Sequence, residues 1–412
     1  MQSSRAFLAA ASVAMWVILA DAHAQSPYPP PNPPTCRNTG SFEAWLQGFR
    51  KEALSAGISR ATVASVLDEM TMDPGVIARD RKQGFFAQSF LAFSDKLISQ
   101  NRIQNGIARL KQHRDLFAKV EKQYGVPGPV IAAFWALETD YGSFLGKLPV
   151  LRALATLAYD CRRPVMFRTE LMDAMRIIDR GDLTAEEMIG SWAGELGQTQ
   201  FLPSHYLKHA IDYDGDGRRN LITSVPDVVA SSANFIAHLG WQRDQPWLEE
   251  VHVPGNLAWE EADLAIQHPR SKWAGWGVKH ADGRPLPADA TPASLLLPMG
   301  RYGPAFLAYA NFQVYLKWNQ SLNYCVTAAY LATRLAGAPP MSRGSRPIPD
   351  LSMEQVKELQ QLLARRGLEV GEIDGKLGAA TRSSVKAAQM KLGLPADSYP
   401  TVELIERLRA QR

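Results

Sequence analysis

The sequence predicts a mainly α-helical protein of the α+β class, with a small β-containing part and a separate C-terminal domain of three helices. Apolar residues recur at helical spacing over about 41–241 and again over 303–335. Between these stretches, at about 243–300, short strand-like runs stand among Gly and Pro. A linker at 336–350 then precedes a tail, 351–412, with its own apolar pattern.

The N-terminal segment, residues 1–24, is predicted to be a secretory signal peptide. Arg5 precedes an apolar run, and Ala22-His23-Ala24 offers a cleavage site of the small-x-small type. The run is short and is followed by a Pro-rich spacer at 25–40, so a retained membrane anchor is not expected. We therefore expect an exported, soluble protein of the periplasm.

Composition is that of an ordinary globular protein. The chain has 412 residues, enough for two or three domains, with 46% hydrophobic and 21% charged residues. The net charge of +4 would suit an acidic polymer, although solubility explains it equally well. We expect no nucleic-acid partner.

Three cysteines permit one disulfide and one free thiol in an exported protein. The pattern does not choose among Cys36, Cys161 and Cys325, although Cys36 and Cys325 lie near the two ends of the main region and are the favoured pair. No cluster of Cys and His has the spacing of zinc ligands, so structural zinc is not expected.

Glu138 lies in a predicted helix that begins at Pro129 and is expected to end at Gly142. It shares the apolar stripe of Phe134 and Trp135 at helical spacing. Burial raises the pKa of a carboxyl group, and an acid still protonated near neutral pH is what a glycosidase needs to protonate a leaving oxygen. The alternative is a glutamate at the edge of the stripe with its head in water.

Two further segments combine polar and aromatic residues. In 191–204, small residues permit close approach, and Ser191 and Gln200 can hydrogen-bond an amide or a hydroxyl. Segment 311–324 interleaves aromatic side chains with amides, which is typical of the lining of a sugar cleft. A polar turn between helices and an ordinary aromatic core are the respective alternatives.

An acidic loop fits the first six residues of an EF-hand calcium site. The predicted ligand positions are Asp212, Asp214, Asp216 and Arg218. Thr223 stands at the twelfth position, where a bidentate glutamate is expected, and this weakens the prediction; Asp227 is near enough in sequence to reach in. The alternative is an acidic turn neutralised by Arg218 and Arg219.

In this order and spacing, the motifs over 41–335 resemble the lytic murein transglycosylase B family. The matching stretches are 135–139, 152–159, 190–194, 200–204, 212–217, 233–235 and 240–241. The tail resembles the small helical peptidoglycan-binding domain of many wall enzymes. Its matching residues are Leu359, Leu363, Gly367, Gly371, Asp374, Gly375, Gly378, Thr381 and Gln389.

The resemblance implies a lysozyme-like core that cleaves peptidoglycan between N-acetylmuramic acid and N-acetylglucosamine and leaves a 1,6-anhydro-muramic end. Glu138 matches the single catalytic acid/base, no cofactor is required, and any calcium would be structural. The residues that it implies as lining the glycan cleft are Ser191, Gln200, Asn319 and Tyr324, with Phe93, Phe235 and Trp318 where tyrosines are expected. Stacking could survive these replacements, but hydroxyl hydrogen bonds could not.

Two alternatives to this activity remain open on the sequence. Glycosidases ordinarily use two carboxylates, and Glu195 stands where the family usually has a small residue, so a hydrolytic muramidase is one alternative. Asp140 is a weaker second acid, because it is two residues from Glu138 and points to another face. The other is a non-catalytic wall-binding protein. A calcium-signalling role is improbable with one incomplete loop.

Overall fold

The computed structural model describes residues 40–81 and 88–410. The predicted signal peptide and nearly all of the spacer at 25–40 lie outside the described residues, as does Cys36. The helices described in the main region are α1 (Phe42–Ser55), α2 (Arg60–Leu67), α3 (Pro74–Arg81), α4 (Phe90–Leu97), α5 (Gln100–Gln112), α6 (Arg114–Tyr124), α7 (Gly128–Thr139), α8 (Val150–Tyr159), α9 (Pro164–Asp179), α10 (Pro203–His209), α11 (Val225–His238), α12 (Arg270–Gly275), α13 (Phe312–Trp318) and α14 (Leu322–Leu335). None of the described helices is long and apolar enough to cross a membrane.

Serine side chains cap the N-terminal ends of several of these helices. Ser41, Ser59 and Ser99 each accept a hydrogen bond from the backbone N–H three residues later, at 3.3, 3.2 and 3.1 Å. A cap of this kind satisfies a donor that the helix leaves unpaired and stabilises it by about 1 kcal/mol. The boundaries of these helices therefore follow from local sequence.

Helix α7 is enclosed on almost every side, and nine of its twelve residues are buried. It packs against α5 and α14, with further contacts to α6 and α11. Ala132, Ala133 and Ala136 are fully buried and allow the neighbouring helices to approach closely. Any polar group near the C-terminal end of this helix is therefore held in apolar surroundings.

The helix ends at Thr139, before the predicted end at Gly142. Asp140 and Tyr141 adopt left-handed φ angles of 51° and 59°, a conformation that costs non-glycine residues about 1–3 kcal/mol each. Arg102 stabilises this turn, because its Nε donates to Asp140 at 3.0 Å and its carbonyl accepts from the Tyr141 hydroxyl at 2.8 Å. The chain leaves α7 through a braced turn.

The described strands form antiparallel pairs in two sheets. The smaller sheet joins β1 (Leu148–Pro149), just after the turn that follows α7, to β2 (Ile189–Gly190). The larger has the strand order β4-β6-β7-β3-β5. Its strands are β3 (Leu248–His252), β4 (His268–Pro269), β5 (Lys279–His280), β6 (Pro292–Leu296) and β7 (Ala305–Ala308).

The larger sheet extends past the part predicted to contain strands, about 243–300. Strand β7 lies where helical patterning was expected to resume, and the next α-helix begins only at Phe312. All four residues of β7 are buried, and the strand pairs with β3 on one side and β6 on the other. A strand buried on both faces has no polar–apolar alternation, so its period gave no signal.

The tail forms the three predicted helices, α15 (Met353–Ala364), α16 (Ala379–Lys391) and α17 (Val402–Ala410). Gln360 is buried at their centre, where its side-chain nitrogen donates to the Thr381 hydroxyl at 3.2 Å and its oxygen accepts from the Gly375 N–H at 2.9 Å. These elements confirm the predicted fold class, a mainly α protein with a small sheet and a separate C-terminal domain of three helices.

The C-terminal domain is docked on the main region through polar contacts. The guanidinium of Arg382, on α16, donates to the carbonyl oxygens of Leu297 and Pro298 at 2.6 and 3.1 Å. Asp397 accepts both the backbone N–H and the guanidinium of Arg301, each at 3.0 Å. These contacts hold α16 and the segment that follows it against the end of the larger sheet.

The linker at 336–350 is also attached to the main region. The backbone N–H of Ser342 donates to Glu250 at 2.6 Å, and that of Ser345 donates to the carbonyl of Tyr302 at 2.8 Å. The guanidinium of Arg346 lies 3.4 Å from the centroid of the Tyr302 ring. The connection between the two domains is therefore held along its length.

Candidate active site

Glu138 is the penultimate residue of α7, and side chains from α13 and α14 reach it. The indole N–H of Trp318 donates to Glu138 Oε1 over 3.1 Å, and the hydroxyl of Tyr324 donates to the same oxygen. Within the described residues, no hydrogen bond reaches the other oxygen, Oε2. One oxygen of the acid is thus anchored and the other can carry a proton toward a ligand.

Trp318 is itself fixed by other rings. Its ring stacks on Phe134 with centroids 4.2 Å apart and also contacts Phe235 at 5.3 Å and Phe201 at 5.9 Å. The sequence predicted the loss of a hydroxyl hydrogen bond at this position. The indole N–H supplies a hydrogen bond to Glu138 instead.

Burial raises the pKa of Glu138 from its ordinary 4.5 to about 7. The hydrogen bonds from Tyr324 and Trp318 stabilise the carboxylate and oppose this shift, whereas the charge of Glu195 adds to it. Near neutral pH both the protonated and the ionised form of the carboxyl group are therefore accessible. That balance suits a residue that must give up a proton and later take one back.

Tyr324 stays a hydrogen-bond donor across the physiological pH range. Burial raises the pKa of its phenol well above the ordinary 10.0, and the neighbouring charge of Glu138 adds to the shift. The neutral hydroxyl can therefore stabilise an ionised Glu138 without titrating itself.

Ser191 does not present a free hydroxyl. Its Oγ donates to Glu195 Oε2 at 2.8 Å and accepts the backbone N–H groups of Ala193 and Glu195 at 3.1 and 3.2 Å. Burial raises the pKa of Glu195, while Ser191 and the charge of Arg163 lower it. Glu195 is therefore a second acid close enough to affect the titration of Glu138.

Gln200 connects segment 191–204 to the loop after α7. It has a left-handed φ of 50°, and its side-chain nitrogen donates to the carbonyls of Gly197 and Leu145 at 2.9 and 3.3 Å. In the same loop Gly146 lies against Gly190, because a Cβ at Gly146 would stand 2.0 Å from the Gly190 oxygen. Only glycine permits this approach.

The remaining predicted lining residues lie at different depths. Asn319 ends α13, and its side-chain oxygen accepts a backbone N–H at the start of α14 at 2.8 Å. Phe235 is only 6% exposed and packs behind Trp318, so its ring supports the indole rather than facing solvent. Phe93 is half-buried on α4, which packs against α14, and no described contact links Phe93 to the acid.

Gln198 was not singled out from the sequence, yet it is central to the site. Its side-chain oxygen accepts the indole N–H of Trp135 at 2.9 Å, and its side-chain nitrogen donates to the carbonyl of Ile222 at 2.9 Å. Its own carbonyl accepts the hydroxyl of Thr139 at 2.5 Å. Gln198 therefore joins α7 to the end of the acidic loop, a link that no local pattern could predict.

The acidic loop forms a group of three carboxylates. Asp212, Asp214 and Asp227 place carboxylate oxygens within 4.8 Å of one another. Asp216, a predicted ligand, is outside this group, and its side chain accepts the backbone N–H of Arg218 at 2.8 Å. The side chain of Arg218 pairs elsewhere, with Glu187 and a carbonyl.

The donor set fits a hard cation. Asp227 is completely buried, and burial together with the charge of Asp214 raises the pKa of its carboxyl group. Clustered carboxylate oxygens are the ligands that calcium prefers, and a bound cation would relieve this repulsion. Asp227 lies beyond Thr223 in the chain and brings a third carboxylate to the group, where its two oxygens accept the backbone N–H groups of Tyr213 and Asn220, each at 2.7 Å.

Cys325 is buried at the junction of α13 and α14. Its thiol donates to the carbonyls of Tyr315 and Asn319 at 3.2 and 2.9 Å, and burial raises its pKa. Cys36 lies outside the described residues, so a pairing of Cys36 with Cys325 stays a prediction.

Two family models match the chain. The model described as Transglycosylase SLT domain matches residues 41–333, and the model described as Putative peptidoglycan binding domain matches residues 352–408. The membrane-bound lytic murein transglycosylase B of Escherichia coli K12 is 26% identical over 295 residues, covering 70% of this chain and 79% of that protein.

Solved structures show the same similarity. SltB3 from Pseudomonas aeruginosa, in complex with NAG-anhNAM-pentapeptide, is 40% identical, covers 90% of this chain and 99% of that chain, and has a TM-score of 0.84. Escherichia coli Slt35, in complex with calcium, is 27% identical over 71% of this chain and 92% of that chain, with a TM-score of 0.60. The chain therefore belongs to the Transglycosylase SLT domain family and is a murein lytic transglycosylase that carries a C-terminal domain of the peptidoglycan-binding family.

Proposed function

We propose that the protein is exported to the periplasm and cleaves peptidoglycan between N-acetylmuramic acid and N-acetylglucosamine, leaving a 1,6-anhydro-muramic end. The observation that carries this proposal is Glu138, a half-buried acid of raised pKa whose described hydrogen-bond donors both lie on Oε1, which leaves Oε2 without a described partner. The similar SltB3 complex contains NAG-anhNAM-pentapeptide, which agrees with such a product.

In the first step, the oxygen of the muramic 2-acetamido group attacks the anomeric carbon. The bond to the leaving oxygen breaks, and Glu138 transfers its proton to that oxygen, so the N-acetylglucosamine end departs with a hydroxyl group. Glu138 is then ionised and faces a positively charged oxazolinium. Hydrogen bonds from Trp318 and Tyr324 stabilise its carboxylate.

In the second step, the C6 hydroxyl of the same muramic sugar attacks the anomeric carbon. The bond to the acetamido oxygen breaks, and Glu138 accepts the hydroxyl proton, which closes the anhydro ring and restores the acid. One residue thus acts as acid and then as base. A pKa of about 7 favours both transfers at neutral pH.

The test is a digest of purified sacculi with identification of the terminal sugar by mass spectrometry. The wild type should release fragments with anhydro-muramic ends. Glu138→Gln should still sediment with sacculi but release fragments at least about 100-fold more slowly, because it removes the acid. Glu69→Gln, at an exposed position on the surface, is the matched control and should match the wild type. Unchanged release by Glu138→Gln would refute the assignment.

A hydrolytic muramidase is the second candidate, and the position of Glu195 favours it. A second buried acid that interacts with Glu138 could activate a water molecule. The same digest separates the two, because hydrolysis leaves reducing muramic ends. If Glu195 does not activate a water molecule, the Glu195→Gln variant should still release fragments with anhydro-muramic ends.

We also infer that Asp212, Asp214 and Asp227 hold a structural calcium ion. Its charge would neutralise the buried carboxylates and order the loop, without taking part in the chemistry. Calcium added to the chelated protein should raise its melting temperature by about 3 °C at saturating concentration.

Asp227, inside the carboxylate group, and Asp216, outside it, provide a matched pair of substitutions for this test. Asp227→Asn should abolish the calcium-dependent rise in melting temperature, whereas Asp216→Asn should preserve most of it, because Asp216 lies outside the group. An equal loss in both variants would contradict the assignment of Asp227 as a ligand.

The C-terminal domain is inferred to bind peptidoglycan. The family match over residues 352–408 supports this. Removal of the domain should reduce co-sedimentation with sacculi, and retention equal to that of the full chain would argue against the assignment.

A further inference from the structure

Phe144 is the large hydrophobic residue whose side chain is most exposed among the described residues, at 72%. It lies in the loop between α7 and β1, six residues after Glu138. Exposure of a whole aromatic ring to water is unfavourable by the area it leaves unburied. Single exposed apolar residues are common on protein surfaces, so the position of this ring in the fold has to decide whether it contacts a ligand.

The backbone around Phe144 is held on both sides. Its N–H donates to the carbonyl of Thr139 at 2.9 Å, which places it next to the turn that ends α7. The carbonyl of Leu145 accepts from Gln200 at 3.3 Å, and Gly146 lies directly against Gly190. The exposed ring is therefore carried by a braced loop rather than by a free end.

These anchors place Phe144 between the two halves of the site. On one side is Thr139, the neighbour of Glu138; on the other are Gly190 and Gln200, which bound the segment that contains Ser191. The loop thus lies next to both parts of the chain that a glycan strand would contact, Glu138 and segment 191–200. The ligand that packs on the ring of Phe144 is therefore expected to be part of that glycan strand.

We propose that Phe144 is a sugar-binding platform whose ring packs on the C–H face of a pyranose in the bound glycan strand, next to the bond that is cut. This rests on the proposed function. Aromatic rings present a large apolar face at small cost in side-chain entropy. Since the loop is already braced, little further ordering opposes binding.

The test compares Phe144→Ala with Phe144→Trp and with Val165→Ala. Val165 is the matched control, because it is 69% exposed but lies on a different element, α9. The probe is a peptide-free oligosaccharide of alternating N-acetylglucosamine and N-acetylmuramic acid. Affinity is measured with each change placed in the Glu138→Gln protein, so that the probe stays intact, and KM and kcat are measured with active Glu138.

Phe144→Ala should weaken binding of the probe and raise KM about 5-fold or more, with kcat and the anhydro product unchanged. Phe144→Trp should keep wild-type affinity, and Val165→Ala should have no effect. Unchanged affinity in Phe144→Ala, or an equal loss in Val165→Ala, would overturn the proposal.

A loss seen only with glycan that carries stem peptides would assign the ring to the peptide and would also overturn it. Failure of the wild type to form anhydro ends would instead refute the proposed function, and the direct binding measurement would still report on Phe144. The two failures are therefore distinguishable.

Discussion

Glu138 owes its chemistry to a balance between burial and two hydrogen bonds on one oxygen. Burial raises its pKa to about 7, and the bonds from Trp318 and Tyr324 keep the shift from being larger. Glu195 acts in the opposite direction to these bonds, because a nearby negative charge disfavours ionisation. The side chains around the acid thus set the pH range in which it can donate.

This balance predicts that two substitutions around Glu138 shift the pH dependence of activity in opposite directions. Activity requires protonated Glu138, so it should fall as pH rises through about 7. Tyr324→Phe removes a bond that lowers the pKa, so the alkaline limb of the kcat/KM profile should move to higher pH. Glu195→Gln removes a charge that raises the pKa, so the limb should move to lower pH.

The measurement is the pH profile of kcat/KM on a soluble glycan. Glu69→Gln is the control and should leave the limb where the wild type has it. Shifts of the same sign in Tyr324→Phe and Glu195→Gln would contradict the account of the acid given above.

At the residue scale, the sequence was informative where neighbours lie within a helical turn. The apolar stripe of Phe134 and Trp135 placed Glu138 on an apolar helix face, but it left a glutamate with its head in water as the alternative. Its partners Trp318 and Tyr324 lie 180 and 186 residues away, so their bonds to the acid depend on the tertiary fold. The burial of Phe235 likewise depends on rings from other helices.

At the scale of elements, Gln198 joins three segments that are distant in sequence. It bonds Trp135 and Thr139 on α7, and it bonds Leu221 and Ile222 at the end of the acidic loop. The end of α7 is therefore positioned in part by the loop that we infer to hold calcium.

Gln198→Leu tests this link. The change leaves the indole of Trp135 and the carbonyl of Ile222 without their partner, and each buried unpaired group costs about 1–3 kcal/mol. We expect a lower free energy of unfolding, measured by urea denaturation, together with a lower kcat at unchanged KM. Gln361→Leu, at an exposed site on α15, is the matched control.

A loss of stability with kcat unchanged would reduce Gln198 to a purely structural residue. The sequence could not predict this link, because a glutamine that directly follows a glycine turn has many available partners. It predicted the helices themselves better, since serine caps and apolar spacing are local signals.

At the scale of the whole molecule, polar contacts and the packing of Tyr399 into the main core join the two domains. Arg382 is buried against the carbonyls of Leu297 and Pro298, and burial lowers its pKa. Asp397 accepts a hydrogen bond from the guanidinium of Arg301. A patterned tail after a Gly- and Pro-rich linker predicted a separate domain, but the sequence carried no signal for these long-range contacts.

Arg382→Ala should weaken this docking, because it leaves the carbonyl oxygens of Leu297 and Pro298 without their guanidinium donor. Loss of its partner typically costs a buried polar group about 1–3 kcal/mol. By calorimetry, the wild type should unfold in one transition and the variant in two, with the tail melting first. Arg407→Ala, which removes only an exposed pair with Glu403, should keep the single transition.

The attached linker changes how the tail can serve the enzyme. A flexible linker would let a wall-bound enzyme reach any glycan strand within the length of the linker, and that length would set the local concentration of the catalytic region at those strands. Here Ser342, Ser345 and Arg346 are fastened to the main region. A tail that binds the wall would consequently hold Glu138 at a fixed distance and angle from the point of attachment. The enzyme would then cut glycan at a fixed spacing from the site where its C-terminal domain is bound.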